Sequence, residues 1–340
     1  MKVFFYIPLI SSTMIALSTN SWIIMWMMLE INLMSFIPII NNHYFKTNFL
    51  FKYFIVQVTS SSIFILSLML MWMLQFNDLK IIDMNFFNSM IAITMSVKLG
   101  LIPFHSWYLE VAIDITWMNF LLLTTWQKLI PLIIIFNVPM NSTMYTIIII
   151  SSVISSLQGI TQNNLRKLFT LSSINHLCWM LISSYLNMTL MFTYFMLYTL
   201  LSFNIYKIFQ LYGFMYITDI LVTPSMPPQL MWLLMTNILS VAGLPPFSGF
   251  LIKLMTIQLM MYYELYITFS SAMFTLYFYL KTSYSFILFY SQKNKFSLLN
   301  IHLNMKHYIF KKKFYKLYYF ILITTALNCI LPIIFFMSNN

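Results

Sequence analysis

Long continuous apolar runs, rather than alternating positions, dominate the hydrophobic pattern of the chain. Runs of about 20 residues recur from end to end, each enough to cross a ~30 Å hydrocarbon core as a helix rising 1.5 Å per residue. They predict about eleven spans, near residues 3–19, 21–40, 51–74, 84–109, 117–138, 142–160, 168–186, 189–210, 229–262, 265–290 and 317–337. Connections are short except for 211–228, which carries Pro224, Pro227 and Pro228, and the lysine-rich 291–316. The pattern is that of an all-α polytopic membrane protein, with residues 1–340 as a single transmembrane domain. A transmembrane β-barrel would instead show alternation over about 10 residues. Lys2 and the apolar run to Leu17 have the outline of a signal peptide. Trp22 opens another span almost at once, so the run reads as the first transmembrane helix.

Composition sharpens the exclusion. Only 7% of residues are charged and 61% are apolar, whereas a soluble surface wants roughly 25–35% charged positions. The same apolar and aromatic richness excludes a disordered chain. Glycine and alanine, the usual close-packing residues of membrane helices, are scarce, and Arg166 is the single arginine. Drift towards A/T-rich codons accounts for that scarcity and points to a small genome such as an organelle's. Cys178 and Cys329 stand inside apolar stretches and read as small packing residues rather than a metal or disulfide pair.

The +11 net charge is sorted by position. One side of the predicted topology collects Lys2, Lys46, Lys52, Arg166, Lys167, Lys293, Lys295, Lys306, Lys311, Lys312, Lys313 and Lys316, and the other collects Lys80. By the positive-inside rule the N-terminus lies on the cytoplasm- or matrix-like side and the C-terminus opposite. The excess therefore serves topology and anionic-lipid contact, not nucleic-acid binding.

Five basic residues remain within spans. Lys207 and Lys281 lie in last turns and can snorkel. Lys98, Lys128 and Lys253 cannot do so easily: Lys128 sits roughly 17 Å deep, and Glu30 is likewise central in its span. A charge at that depth costs at least about 2.5–3.5 kcal/mol, which makes an intramembrane ion path the default reading. Two segments with glycine and proline lie beside these lysines, Lys98–Trp107 and Gly243–Lys253. Proline deletes a backbone donor and clashes one turn back, and 229–262 would stretch about 51 Å if straight. Both segments predict broken helices, the device that marks ion paths in transporters. Lys98 precedes its break and Lys253 follows its own, so the two sites are not duplicates.

Six motifs then occur in order: Trp26-x-x-Leu29-Glu30-Ile31-Asn32, Lys98-Leu99-Gly100-x-x-Pro103-Phe104-His105-x-Trp107, Thr125-Trp126-Gln127-Lys128, Leu165-Arg166-Lys167, Ser172-Ser173-Ile174-x-His176 and Gly243-Leu244-Pro245-Pro246-Phe247. Together they resemble the antiporter-like chain 2 family of mitochondrial NADH:ubiquinone oxidoreductase, respiratory complex I, in its animal and insect-like form. The resemblance is good over about residues 20–255 and loose in the C-terminal third. It implies antiporter-like inverted repeats with two broken helices, in the mitochondrial inner membrane with a matrix-side N-terminus. It further implies a proton relay in which Glu30 and Lys98 form a coupled pair, Lys128 is central and Lys253 sits at the second break. His105 and His176 are weaker relay candidates. Glu110 and Asp114 are expected in a loop after the first break, as anchors, and Glu264 at a span end on the opposite surface.

No nucleotide loop, iron–sulfur cysteine cluster, haem attachment or flavin fingerprint is present in the sequence. The resemblance therefore places NADH, FMN, iron–sulfur clusters and ubiquinone in partner subunits, with no cofactor or metal in this chain. Its expected partners are other membrane-arm subunits of complex I, membrane lipids and protons. Two rivals are a cation/proton antiporter subunit outside complex I and a structural scaffold whose buried charges only fix helix packing.

Overall fold

A computed structural model describes residues 2–41, 48–76, 84–222, 227–259, 271–286, 321–326 and 328. Apart from an isolated bridge between Asn164 and Tyr216, every regular element among them is helical. In chain order these are α1 (Lys2–Ser18), α2 (Trp22–Ile40), α3 (Asn48–Phe76), α4 (Met84–Leu99), α5 (Ser106–Asp114), α6 (Trp117–Thr124), a 3-10 turn (Trp126–Lys128), α7 (Leu129–Phe136), α8 (Ser142–Thr161), α9 (Leu165–Leu186), α10 (Met188–Tyr212), α11 (Ile217–Val222), α12 (Pro228–Ala242) and α13 (Ser248–Leu259). Further helix occupies 271–286 and 321–326. Among the described residues, five helices are long and apolar enough to cross a membrane: Trp22–Ile40, Asn48–Met73, Trp117–Phe136, Ser142–Thr161 and Met188–Tyr212. Much of the expected spans 265–290 and 317–337, with Lys80, Glu264 and Cys329, lies outside the described residues.

The chain groups into two compact units, Met1–Gln158 with Phe169–Met191 and Gly159–Leu168 with Phe192–Asn340. In the first, α1 packs on α2 and α7, α2 on α3, and α3 on α4 and α5. In the second, α12 packs on α13, and Leu165 and Ile217 donate backbone bonds to Met215 and Asn163. Outward positions such as Phe4, Ile7, Phe51, Leu66 and Met73 are exposed and apolar, while the interior mixes aliphatic and aromatic side chains with many buried serines, threonines and asparagines. Buried serines take the part that glycine and alanine play in other membrane helices. Ser151, Ser152, Ser155 and Ser156 of α8 are all buried, and each donates to a carbonyl three residues back in its own helix. That satisfies the hydroxyl where no water or lipid could.

Both predicted breaks are present, and they share one construction. Gly100 (φ 70°) and Gly243 (φ 84°) adopt the left-handed conformation just past α4 and α12. At the first, Leu101 and Gly100 donate to the carbonyls of Ser96 and Val97. At the second, Leu244 and Gly243 donate to Leu239 and Ser240. Each is a Schellman stop, which glycine reaches without a Cβ penalty. Proline follows in both, and Ile102–Pro103 and Pro245–Pro246 are cis.

Three expectations need correction. The span 117–138 is not one regular helix: Thr125 leaves the helical region (φ −120°, ψ −76°) and Trp126–Lys128 tightens to 3-10. Pro131 supplies the reason, because it has no N–H for the carbonyl of Gln127 and its ring crowds that carbonyl. Glu110 and Asp114 are not in a loop but on α5, where Glu110 pairs with Lys52 of α3. Both partners of that pair are more than half exposed, so Lys52→Ala should change stability by no more than about 1 kcal/mol; thermal unfolding of the assembled protein checks this. Finally, 211–228 is not merely a connection. It holds α11, whose Asp219 carboxylate accepts from the backbone N–H groups of Met215 and Tyr216, half of a capping box.

Candidate functional site

A helix stopped inside a membrane leaves carbonyls without partners, and here side chains take them up. At the first break Trp107 Nε1 donates to Val97 O (3.2 Å) and Gln57 Nε2 to Lys98 O (3.4 Å). These contacts hold α5 and α3 against the end of α4 and leave the Lys98 side chain free to point into the unit. Lys98, Lys128 and Lys253 are 7%, 4% and 7% exposed, so none of the three reaches an aqueous surface within its own unit.

Lys98 and Lys128 line one small cavity with Tyr53, Gln57, Tyr108 and Gln127. About 20 Å³ of it is open to the centre of a water molecule, above the ~10–15 Å³ that one water needs. The interrupted segment Thr125–Lys128 turns Lys128 towards this space. Its ammonium lies 3.1 Å from Ser173 Oγ on α9 and 5.0 Å from the centroid of the Tyr108 ring. Gln127 Nε2 donates to Asn32 Oδ1 of α2 (3.1 Å), tying the turn to the helix that carries Glu30. Glu30 is half-buried on α2. No ion pair joins it to Lys98 among the described residues, where the recorded pair is Lys52–Glu110. Lys98 and Lys128 are thus brought onto one cavity of the first unit, while Glu30 is not part of its lining.

In the second unit Lys253 of α13 folds back across its break, and its Nζ donates to Ala242 O (2.9 Å), the last residue of α12. The ammonium thereby satisfies a terminal carbonyl and meets the negative end of the helix dipole. A Cβ on Gly243 would stand 3.0 Å from Lys253 Nζ, so the glycine provides both the left-handed turn and the room. Asn237, Ser248 and Asn328 are buried in this unit as a hydrogen-bonded set, Ser248 Oγ to Asn328 Oδ1 (3.1 Å) and Asn328 Nδ2 to Asn237 Oδ1 (3.5 Å). The two snorkelling candidates behave differently. Lys281 is exposed with Nζ 3.5 Å from Ile160 O, and Lys207 lies over the Phe203 ring.

His105 stands in the turn of the first break, part-buried, with Nε2 3.1 Å from Gln158 Oε1 and Nδ1 3.4 Å from Pro103 O. His176 is buried on α9 beside Asn175, whose amide oxygen and nitrogen have no hydrogen-bond partner among the described residues; such groups are ordinarily completed by water. Cys178 is buried with Sγ 2.9 Å from Ser151 Oγ. Tyr108 and Gln57 are the site residues that sequence reasoning misses. An amide in the middle of an apolar span is the available signal for Gln57. Tyr108 is one of 22 tyrosines, and nothing in its neighbours singles it out.

Residues 19–280 match the family described as NADH:quinone oxidoreductase/Mrp antiporter, TM. NADH-ubiquinone oxidoreductase chain 2 of Anopheles gambiae is 41% identical over 307 residues, 87% of this chain and 89% of that one. The protein of the same name from Aedes aegypti is 38% identical over 310 residues, 88% and 90% of the two chains. Among solved structures, a chain of respiratory complex I from Thermus thermophilus with bound Aureothin superposes with a TM-score of 0.77 at 16% identity, covering 94% of this chain and 75% of that one. A chain of the Mrp complex from Dietzia sp. gives 0.63 at 12% identity, covering 84% and 59%. At those identities the solved structures show a common antiporter-like fold. The family match and the insect relatives go further: the chain belongs to the NADH:quinone oxidoreductase/Mrp antiporter transmembrane family, and within it to the NADH-ubiquinone oxidoreductase chain 2 proteins.

Proposed function

We propose that the chain is a proton-translocating membrane-arm subunit of NADH:ubiquinone oxidoreductase, with Glu30, Lys98, Lys128 and Lys253 as its proton-carrying groups. The observation that carries this reading is the cavity that places two buried lysines on one space large enough for water. Water in that space can carry a proton between the two amines, and the charge of the Glu30 carboxylate biases which of them holds it. Changing the effective coupling of Glu30 to Lys98 therefore moves a proton along the cavity to Lys128. Lys253, held by the end of α12, is a second station rather than a copy of the first. His105 and His176 remain candidates for hydrating or relaying roles.

The driving reaction belongs to partner subunits, where NADH, FMN, iron–sulfur clusters and ubiquinone are bound, and this chain supplies no redox group. Its setting is the mitochondrial inner membrane. There residues 1–340 form one membrane domain of about eleven spans in inverted repeats, with the N-terminus on the matrix side and the lysine-rich loops against anionic lipid. A cation/proton antiporter subunit is the second reading, favoured by the fold shared with the Mrp complex. Co-purification with NADH-oxidising subunits separates the two.

Glu30→Gln and Lys98→Met test the relay. Each should leave the complex assembled and slow proton transfer by about 10²-fold, the usual worth of a positioned proton carrier. NADH-driven acidification by sealed vesicles reads this out. Wild-type translocation in both variants would favour a scaffold in which buried charges only fix packing.

A further inference from the structure

Two hydroxyls stand beside the Lys128 amine, at the edge of the cavity that Lys98 and Lys128 both line. Tyr108, on α5, lines the cavity, and its Oη is 2.7 Å from Ser173 Oγ on α9. Lys128 Nζ lies 3.1 Å from that same Oγ, which is also 2.7 Å from Thr170 O. We propose that Tyr108 and Ser173 are proton-passing residues that join the cavity shared with Lys98 to the Lys128 amine. The inference rests on the relay reading above and adds the route of one step in it.

The hydrogen-bond inventory of the two hydroxyls permits two complete arrangements. When Lys128 is an ammonium, Ser173 Oγ accepts from it and from Tyr108 O–H and donates its own proton to Thr170 O. Its two lone pairs and its one hydrogen are then all used. When Lys128 is a neutral amine, its nitrogen becomes an acceptor. The Ser173 O–H can turn from Thr170 O to Nζ, while Tyr108 still donates to Ser173. A proton arriving from cavity water at Tyr108 Oη then moves on in a balanced sequence. Tyr108 gains that proton and gives its own to Ser173. Ser173 gives its own to the lone pair of Nζ, and both hydroxyls end neutral. The hydronium that brought the proton reverts to water, one N–H bond forms on Lys128, and no electron changes hands.

The surroundings fix this geometry. Trp107, next to Tyr108, is bonded to Val97 O, and a Cβ on Gly100 would come within 3.0 Å of Tyr108 Cβ, so the break itself sets where the phenol stands. Both hydroxyl-bearing residues are buried, Tyr108 at 1% and Ser173 at 1% exposed.

A purely structural role is separable, because the Tyr108 ring face also holds the Lys128 ammonium (5.0 Å). Tyr108→Phe keeps that face and its packing and removes only the oxygen. In the assembled complex in sealed vesicles, Tyr108→Phe and Ser173→Ala should each slow NADH-driven proton translocation by about 10²-fold and raise its solvent deuterium isotope effect. Ser173→Thr, which restores a hydroxyl, should recover most of the rate. Lys128→Met is measured alongside. If it stops translocation while Tyr108→Phe and Ser173→Ala match wild type, the hydroxyl route is overturned and the relay stands. Ser173→Thr as slow as Ser173→Ala also overturns the route, since packing would then be the cause. Wild-type translocation in Lys128→Met would bring down the relay reading itself.

Discussion

Gly249→Ala, at the tightest of the five glycine sites, is expected to remove most of the assembled protein. A Cβ at Gly249 would lie 1.8 Å from the backbone oxygen of Ser240 and 2.9 Å from its carbonyl carbon. Backbone inside a helix cannot swing aside as the end of a side chain can, so α12 and α13 must separate. Separation takes with it the Lys253 bond to Ala242 O, a charge-assisted contact of about 1.5–3 kcal/mol, on top of overpacking strain of about 1–3 kcal/mol. Gly213 provides the control. It has φ 70° and nothing within 4 Å of a built Cβ, so Gly213→Ala carries only the left-handed penalty of about 1–2 kcal/mol. Yield and thermal stability of the complex should fall sharply for Gly249→Ala and modestly for Gly213→Ala.

Lys128→Met is expected to separate stability from function in the opposite way. Methionine keeps an unbranched apolar stem and deletes the charge. The hydroxyls left behind still have partners, because Tyr108 Oη and Ser173 Oγ bond one another and Ser173 retains Thr170 O. Removing a charge from mid-membrane also relieves an insertion cost of about 2.5–3.5 kcal/mol. The variant should therefore assemble at least as well as wild type, yet proton transfer through the chain should stop. Gain in stability with loss of activity is the mark of a group kept for its chemistry.

How much of this is legible in the sequence follows from how loudly each residue speaks. Gly100, Pro103, Gly243 and Pro246 announce their breaks, because glycine and proline inside apolar spans have few other uses. Register between the two motifs is also legible: with Gly100 set on Gly243 and Pro103 on Pro246, Val241 falls opposite Lys98 and Glu110 opposite Lys253. The structure gives those non-equivalent positions different work. Lys253 closes over the end of its own helix, and Glu110 pairs with Lys52. The interruption before Lys128 is quieter. It hangs on Pro131 alone, without a glycine, and a single proline reads as an ordinary kink. Tyr108 is silent in sequence because tyrosine is abundant, and Ser173, though it stands in the Ser172–His176 motif, gains its role only where α5 meets α9. The scarcity of glycine and alanine finds its counterpart in buried serines such as Ser151 and Ser155, whose self-satisfied hydroxyls let them serve as small packing residues.

The central claim is that protons cross through the buried lysines of this chain. Its most direct test is the number of protons translocated per NADH oxidised by sealed vesicles carrying the fully assembled Lys128→Met complex. Normal assembly with a clear fall in that ratio, or in the turnover coupled to it, is the expected result. An assembled Lys128→Met complex with both the ratio and the turnover of wild type would contradict it.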